Sequence, residues 1–224
     1  MSFQIDNPFQ NRRAAGAELA DRLQQYANRD DVVVLALPRG GVPVAYEVAR
    51  RLAAPLDVFL VRKLGLPAHP ELAMGAIASG GVRVLNDDVI SWYRVPESII
   101  NEVARVEQIE LERRERSYRA GEAPVPVAGR TVIVIDDGLA TGSSMKAAVQ
   151  ALRALKPARI VVAVPVGSPR TCDQFADIAD EIICARMPED FAAVGQWYRD
   201  FSQTSDEEVQ TLLRGIPRAA AGAK

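Results

Sequence analysis

The stretch Val132-Ile133-Val134-Ile135-Asp136-Asp137-Gly138-Leu139-Ala140-Thr141-Gly142-Ser143-Ser144-Met145 decides how the rest of the chain is read. Its first part, Thr131–Ile135, is a continuous run rich in β-branched residues. That is the pattern of a strand buried on both faces in a parallel sheet. Two carboxylates follow at once, then a short loop of small residues. Beyond the loop Met145, Val149, Leu152 and Leu155 recur at helical spacing. The order is strand, acidic pair, small-residue loop, helix.

Each part has a chemical use. A small-residue loop feeding a helix N-terminus offers free backbone N–H groups to an anion. Thr141, Ser143 and Ser144 add hydroxyl donors of the kind a phosphate monoester needs. Asp136 and Asp137 stand just ahead of that pocket, where they would repel a phosphate. They suit ribose hydroxyls, or a cation bridging the same ligand. The pattern favours a sugar phosphate with its phosphate on the loop and its diol at the carboxylates. A Walker loop needs Lys after its last Gly, but Ser143 follows Gly142. The dinucleotide pattern Gly-x-Gly-x-x-Gly is absent from this stretch. An ordinary strand–turn–helix with a capping serine is the plain alternative.

Val132–Ser144 resembles the phosphoribosyl-diphosphate signature of the type I phosphoribosyltransferases, in which two acidic residues precede a loop of the form x-x-x-Thr-Gly. The resemblance implies that Gly138, Leu139, Ala140, Thr141, Gly142, Ser143 and Ser144 bind the 5′-phosphate of phosphoribosyl diphosphate (PRPP). It implies that Asp136 and Asp137 act at the ribose hydroxyls and hold Mg2+, directly or through water. A second apolar strand, Val32–Leu37, runs into Pro38-Arg39-Gly40-Gly41 and a helix marked by Val44, Val48 and Leu52. An anion could again sit at this turn. Arg39 would supply a forked donor and the glycines a close backbone approach. In the family a diphosphate-binding loop follows the first strand, and Pro38, Arg39, Gly40 and Gly41 resemble it. A third strand, Leu56–Val61, ends in Arg62-Lys63. Two cations on the edge where open α/β sheets bind ligands suggest a second diphosphate contact. Residues 61–67 resemble the same place in adenine phosphoribosyltransferases, so Arg62 and Lys63 join the catalytic candidates; a solvated basic pair is the alternative.

Residues 65–81 hold Pro67 and Pro70 early, and Ala73–Ala78 with Val82–Leu85 around Ser79-Gly80-Gly81 read as a hairpin. Type I enzymes carry a mobile loop here. His69, the single histidine, and Glu71 could assist proton transfer, and Glu71 is taken as the catalytic candidate. A lone His in a Pro-rich loop is more often merely exposed. Asp87–Gly121 reads as a helical insertion: a short helix at Asp88–Tyr93, then a longer one from Pro96. Its charges crowd past Ile109 with mixed signs, which suits a solvated face or a subunit contact better than nucleic acid.

Asn11–Asn28 reads as a helix capped by Asn11, with Arg12 and Arg13 solvated. Ile160–Val164 is a further buried strand, Pro169–Ala179 a helix and Glu181–Cys184 a last strand. In the hypoxanthine–guanine members of the family a Lys that reads the oxo group follows the strand at the place of Ile160–Val164. None follows Val164, so 6-oxopurines are disfavoured. Phe191, Trp197 and Tyr198 gather beyond the last strand as candidates to stack an acceptor base. Aromatics in such a place also commonly pin a terminal segment to the core. Ser205 caps a final helix ending at Gly215, and residues 216–224 read as a disordered tail.

At 224 residues the chain suits one α/β domain with room for an elaboration. Its 48% apolar and 25% charged residues are ordinary for a globular protein. A net charge of -2 gives no support to a nucleic-acid platform. No apolar run is long enough for a membrane span, and Met1–Gln10 lacks a signal-peptide pattern. Cys172 and Cys184 match no zinc spacing and read as reduced, buried thiols of a cytoplasmic protein.

The expected architecture is α/β: a mostly parallel, doubly wound sheet of the type I phosphoribosyltransferase kind, with a small hood and a helical insertion. One domain is expected over 1–215, with its core at about 11–64 and 125–185 and its hood and insertion at about 65–121 and 186–215. The resemblance implies transfer of the 5-phosphoribosyl group from PRPP to a nitrogenous base, with Mg2+ as cofactor and diphosphate released. Such a reaction belongs to nucleotide salvage or synthesis. PRPP and the base are the expected partners, without nucleic acid or membrane, and a homodimer is left open. Two alternatives stand beside it. One is a non-catalytic PRPP- or nucleotide-sensing regulator of the same fold. The other is a phosphohydrolase with an Asp pair, though that chemistry usually wants Asp-x-Asp.

Overall fold

The computed structural model describes residues 7–216. The strands are β1 (Val32–Ala36), β2 (Leu56–Val58), β3 (Val61–Leu66), β4 (His69–Ala78), β5 (Val82–Leu85), β6 (Thr131–Ile135), β7 (Arg159–Val166) and β8 (Glu181–Arg186). The helices are α1 (Arg12–Arg22), α2 (Gly41–Leu52), α3 (Asp87–Tyr93), α4 (Glu97–Arg119), α5 (Ser143–Ala154), α6 (Pro169–Phe175) and α7 (Asp206–Arg214). Five strands pair in parallel in the order β2-β1-β6-β7-β8, and β3-β4-β5 form a separate antiparallel sheet.

The β-branched runs become central strands because both their faces are covered. Every residue of β1 and β6 is buried. Val32, Val34, Ile133 and Ile135 point into a layer built with α1, α2, α4 and α7. Val33, Leu35, Val132 and Val134 point the other way, into a layer built with α5, α6 and the β4–β5 hairpin. The sheet is therefore doubly wound, as expected. The antiparallel hood also forms where the hairpin was read, and Asn11 caps α1 by accepting from Ala14 N–H at 3.0 Å.

Several expectations are corrected. Leu56–Val61 is not one strand. Phe59 N–H still donates to Ala36, but Leu60 N–H turns to Ser79 Oγ at 2.9 Å, and the chain leaves for the hood. Arg62 and Lys63 thus lie inside β3, not at the exit of a parallel strand. Cys172 and Cys184, expected as free thiols, are paired as a disulfide with their Cα atoms 7.1 Å apart. The tail read from 216 starts too early, because Ile216 packs into the core beside α7. Residues 217–224 lie outside the described residues, as do residues 1–6. The C-terminal stretch assigned to the hood divides: α7 joins the layer under α2 and α4, and Phe191, Val194 and Trp197 pack near Phe9. Among the described residues no helix is long and apolar enough to cross a membrane.

The helical insertion is tied to the sheet at one buried point. Asp57 of β2 is 1% exposed and accepts from Arg119 Nε at 3.0 Å, from Val58 N–H at 2.8 Å and from Val125 N–H at 3.0 Å. Arg119, 6% exposed, also donates to the Val58 carbonyl at 2.9 Å. Breaking a buried pair by removing one partner strands the other charge in a low-dielectric site. Arg119→Leu should therefore destabilise the protein by about 3–5 kcal/mol in urea unfolding. Asp57→Asn with Arg119→Leu should recover part of that loss. Equal losses in the single and double variants would show that burial of the lone carboxylate is not the cause.

Candidate active site

β1 and β6 lie side by side in parallel, with Ala36 opposite Ile135. Their exit loops, Pro38–Gly41 and Asp136–Gly142, leave the sheet at the same height. Chain order reverses between these two strands, and such a switch point is where open α/β sheets bind ligands. The packing of the two loops explains one glycine: a Cβ at Gly40 would overlap Asp137 Oδ2. The Pro38–Arg39 peptide bond is cis.

The acidic pair is half-buried. Asp136 Oδ1 accepts from Asp137 N–H at 2.8 Å. Asp137 Oδ2 accepts from Arg12 Nε at 2.9 Å, the two side chains being only 11% and 15% exposed, the arginine first. Arg12 also donates to the Ser202 carbonyl at 2.7 Å and lies 4.0 Å over the Phe201 ring. Solvation of Arg12 is thus corrected: it is the cation of the acidic pair, 125 positions away in sequence. One signal was available. The first turn of α1 holds Arg12 and Arg13 and no acid, against the preference of the helix dipole. A cation kept there is held by something else. Arg13 does remain half in solvent.

Burial, joined by the charge of Asp137, raises the carboxyl pKa of Asp136 well above its ordinary value. Burial also raises that of Asp137, against the pull of Arg12. Among the described residues no cation pairs with Asp136.

The phosphate-type loop is built as a cradle. Leu139 N–H donates to Val166 O at 2.8 Å and Ser168 N–H to Leu139 O at 3.2 Å, which straps the loop to the end of β7. Thr171 Oγ1 donates to Ala140 O at 2.7 Å. Gly142 precedes α5 in the left-handed conformation, φ 71°, and no side chain caps the helix. Ser143 N–H makes a long contact of 3.5 Å to Thr141 Oγ1, whose hydroxyl lies 3.2 Å from that of Ser143, and this exposed helix start is where an anion could compete for the donors. On the other side, a Cβ at Gly138 would stand 2.5 Å from Val194 Cγ1, so Val194 packs against this loop.

The remaining candidates divide. Arg62 faces the insertion and pairs with Glu107. With Leu37, Pro38, Asp136, Ser144 and Arg114 it lines a cavity of about 120 Å3 between the two exit loops. Arg39 turns toward α7, 3.7 Å from Asp206. Lys63 points from the other face of β3 and donates to the Glu71 carbonyl at 3.2 Å. Glu71 is fully exposed, and the His69 ring lies 5.9 Å from Tyr93, so the hairpin tip contacts α3 and not the loops. Tyr198 is a packing residue. Its ring is tilted on Phe9 and Phe201 at 5.4 and 5.1 Å, and its hydroxyl donates to the Asp137 carbonyl. That burial pushes its phenol pKa upward. Phe191 and Trp197 are half-buried against the same cluster.

Arg12→Gln should therefore destabilise the fold in a pH-dependent way. The folded pKa values of the two acids are raised, so their ionisation opposes folding as pH rises through them. Arg12 offsets that penalty only where Asp137 is ionised. The deficit of Arg12→Gln against wild type should reach about 1.5–3 kcal/mol at pH 8 and shrink at pH 5. An equal deficit at both pH values in denaturant titrations would remove Arg12 from the electrostatics of the pair.

A family model described as phosphoribosyl transferase domain matches residues 7–196. A Mycobacterium tuberculosis protein provisionally named a phosphoribosyl transferase is 50% identical over 217 residues, 96% of this chain and 49% of the relative. The chain thus spans about half the length of that curated relative. A Roseiflexus protein named bifunctional protein PyrR is 33% identical over 124 residues, 54% of this chain and 62% of that protein. The crystal structure of TT1426 from Thermus thermophilus superposes with a TM-score of 0.83 at 42% identity, covering 93% of this chain and 99% of that one. Fold, signature loop and relatives agree, and the chain belongs to the phosphoribosyl transferase domain family.

Proposed function

We propose that the chain transfers the 5-phosphoribosyl group of PRPP to a nitrogenous base. A ring nitrogen of the base forms a bond to carbon 1 of the ribose as the bond from that carbon to the diphosphate oxygen breaks. The electron pair leaves on diphosphate, and the base gives its proton to solvent. The observation that carries this reading is one juxtaposition. An uncapped helix N-terminus and a half-buried acidic pair leave the sheet together at its switch point. A dianion at one end of a ligand and a diol at the other match that arrangement.

In this reading Gly138–Ser144 hold the 5′-phosphate through backbone N–H groups and the Thr141 and Ser143 hydroxyls. Asp136 and Asp137 orient the ribose hydroxyls, and Arg12 favours the ionised form of Asp137 and holds it in place. The protein contributes position and charge stabilisation of the leaving group more than covalent chemistry. Among the described residues no cluster of three or more acidic, His or Cys ligands could hold a metal unaided. Mg2+ does not need one, since one or two carboxylates with substrate phosphates suffice. The buried carboxyl of Asp136, with no cation paired to it, fits such an ion. Asp136 and Asp137 would hold Mg2+, which would neutralise charge on the diphosphate. The acceptor is placed beside Phe191 and Trp197, because Val194 of the same segment lies against Gly138. The cytoplasm is the compartment that goes with these substrates.

The direct test offers PRPP and Mg2+ with a panel of nucleobases and follows nucleotide and diphosphate by mass. Asp136→Asn and Asp137→Asn should each lower turnover by about a hundredfold or more. Thr141→Val should weaken PRPP binding by about tenfold to a hundredfold, the worth of one charge-assisted hydrogen bond. Binding of PRPP without turnover on any base would instead identify a sensor of the same fold. Full activity in both Asp variants would sink the assignment of the pair.

A further inference from the structure

The helical insertion reads in sequence as a solvated or subunit-facing helix, yet one of its faces reaches the loops at the switch point. Glu107, Glu110, Arg114 and Tyr118 recur at three- and four-residue steps along α4, and so share a face. Glu107 takes Arg62 from the hood. Arg114 Nε donates to Glu110 at 2.7 Å, and Tyr118 donates to Asp206 at 2.7 Å, the same carboxylate that draws Arg39. Arg114 also enters the wall of the 120 Å3 cavity that Pro38, Arg62, Asp136 and Ser144 line. Two guanidiniums therefore line the space between the two exit loops, Arg62 from β3 and Arg114 from α4, while Arg39 of the β1 loop turns toward α7. Each is paired with a carboxylate of α4 or α7.

That cavity is bounded by Leu37 and Pro38 on one side and by Asp136 and Ser144 on the other. A ligand with its phosphate on the α5 N-terminus and its ribose at Asp136 would direct its carbon 1 substituent here. Arg114 is 44% exposed and Glu110 30%, so their pair is worth little in solvent and exchanges readily. A diphosphate offers the forked guanidinium a pair of oxygens and more charge than one carboxylate.

We propose that Arg114 of the insertion closes the diphosphate subsite and contacts the leaving diphosphate directly, releasing Glu110 to do so. The proposal rests on the PRPP reading above and adds a residue that the signature loop does not contain. It makes α4 a wall of the active site.

Calorimetry on the full chain with Mg2+ tests it with three probes: PRPP, inorganic diphosphate and ribose 5-phosphate. Arg114→Gln should weaken PRPP and diphosphate by about tenfold to a hundredfold and leave ribose 5-phosphate unchanged. Glu110→Gln should act in the opposite sense, tightening diphosphate by up to about fivefold, the worth of an exposed ion pair. Arg113, Arg114 and Glu110 form exposed ion pairs at the surface of α4, which contribute little to stability, so melting should hold in both variants and report folding independently. If wild type binds PRPP and Arg114→Gln binds it equally well, Arg114 is not a diphosphate ligand, while the PRPP reading stands. If Arg114→Gln loses ribose 5-phosphate to the same degree, the effect is not at the diphosphate and the proposal falls. If wild type binds ribose 5-phosphate but neither PRPP nor diphosphate, the PRPP reading and this proposal fall together.

Discussion

Two adjacent carboxylates are held half-buried at the exit of a central strand, and the arrangement of the surrounding residues follows from that. Asp136 and Asp137 repel one another and lose solvent, so both would drift toward the neutral acid. Arg12 opposes that drift at Asp137 across 125 positions of sequence. Its own geometry is set by the Ser202 carbonyl and the Phe201 ring, so the first turn of α1, the exit of β6 and the C-terminal segment meet at one guanidinium. Gly40 presses on the same carboxylate from the β1 loop. Such a site is charged, strained electrostatically and relieved by a ligand with hydroxyls or a cation, which is the character expected of a binding centre rather than of a core.

The periphery is organised by charge in the same manner. Asp57 and Arg119 fasten the C-terminal end of α4 beneath β2, and Glu107 reaches Arg62 of the hood. A long helix fixed at two points presents one face with Glu107, Glu110, Arg114 and Tyr118, of which Arg114 lines the cavity between the exit loops. Helix α7 adds Asp206, which gathers Arg39 and Tyr118, and the Tyr118 phenol is pushed up to about 12 by burial and by that carboxylate. Arg39, Arg62 and Arg114 are thus each paired with a carboxylate of α7 or α4.

Much was legible in the residues themselves. A strand buried on both faces must be β-branched and apolar throughout, and Val32–Ala36 and Thr131–Ile135 show that directly. A loop that leaves N–H groups free ahead of a helix needs small residues, as Gly138–Ser144 has. Local rules also found the hairpin, the Asn11 and Ser205 caps and the amphipathic insertion, since each depends on neighbours within a few positions. These features determined the α/β fold and where a candidate site should be sought.

What the sequence could not determine is which distant groups meet. Arg12 reads as a helix-surface residue until α1 packs with its first turn over the exit of β6. Arg62 and Lys63 read alike, yet strand alternation sends one to α4 and the other to the outer face of the hood. Tyr198 reads like Phe191 and Trp197 as a stacking candidate, but its ring is enclosed by Phe9 and Phe201. Cys172 and Cys184 match no motif and are joined only because α6 packs on β8. Period, propensity and motif act over a few residues, whereas ion pairs, ring packing and cavity walls depend on how helices and strands are placed, and only the tertiary structure decides that.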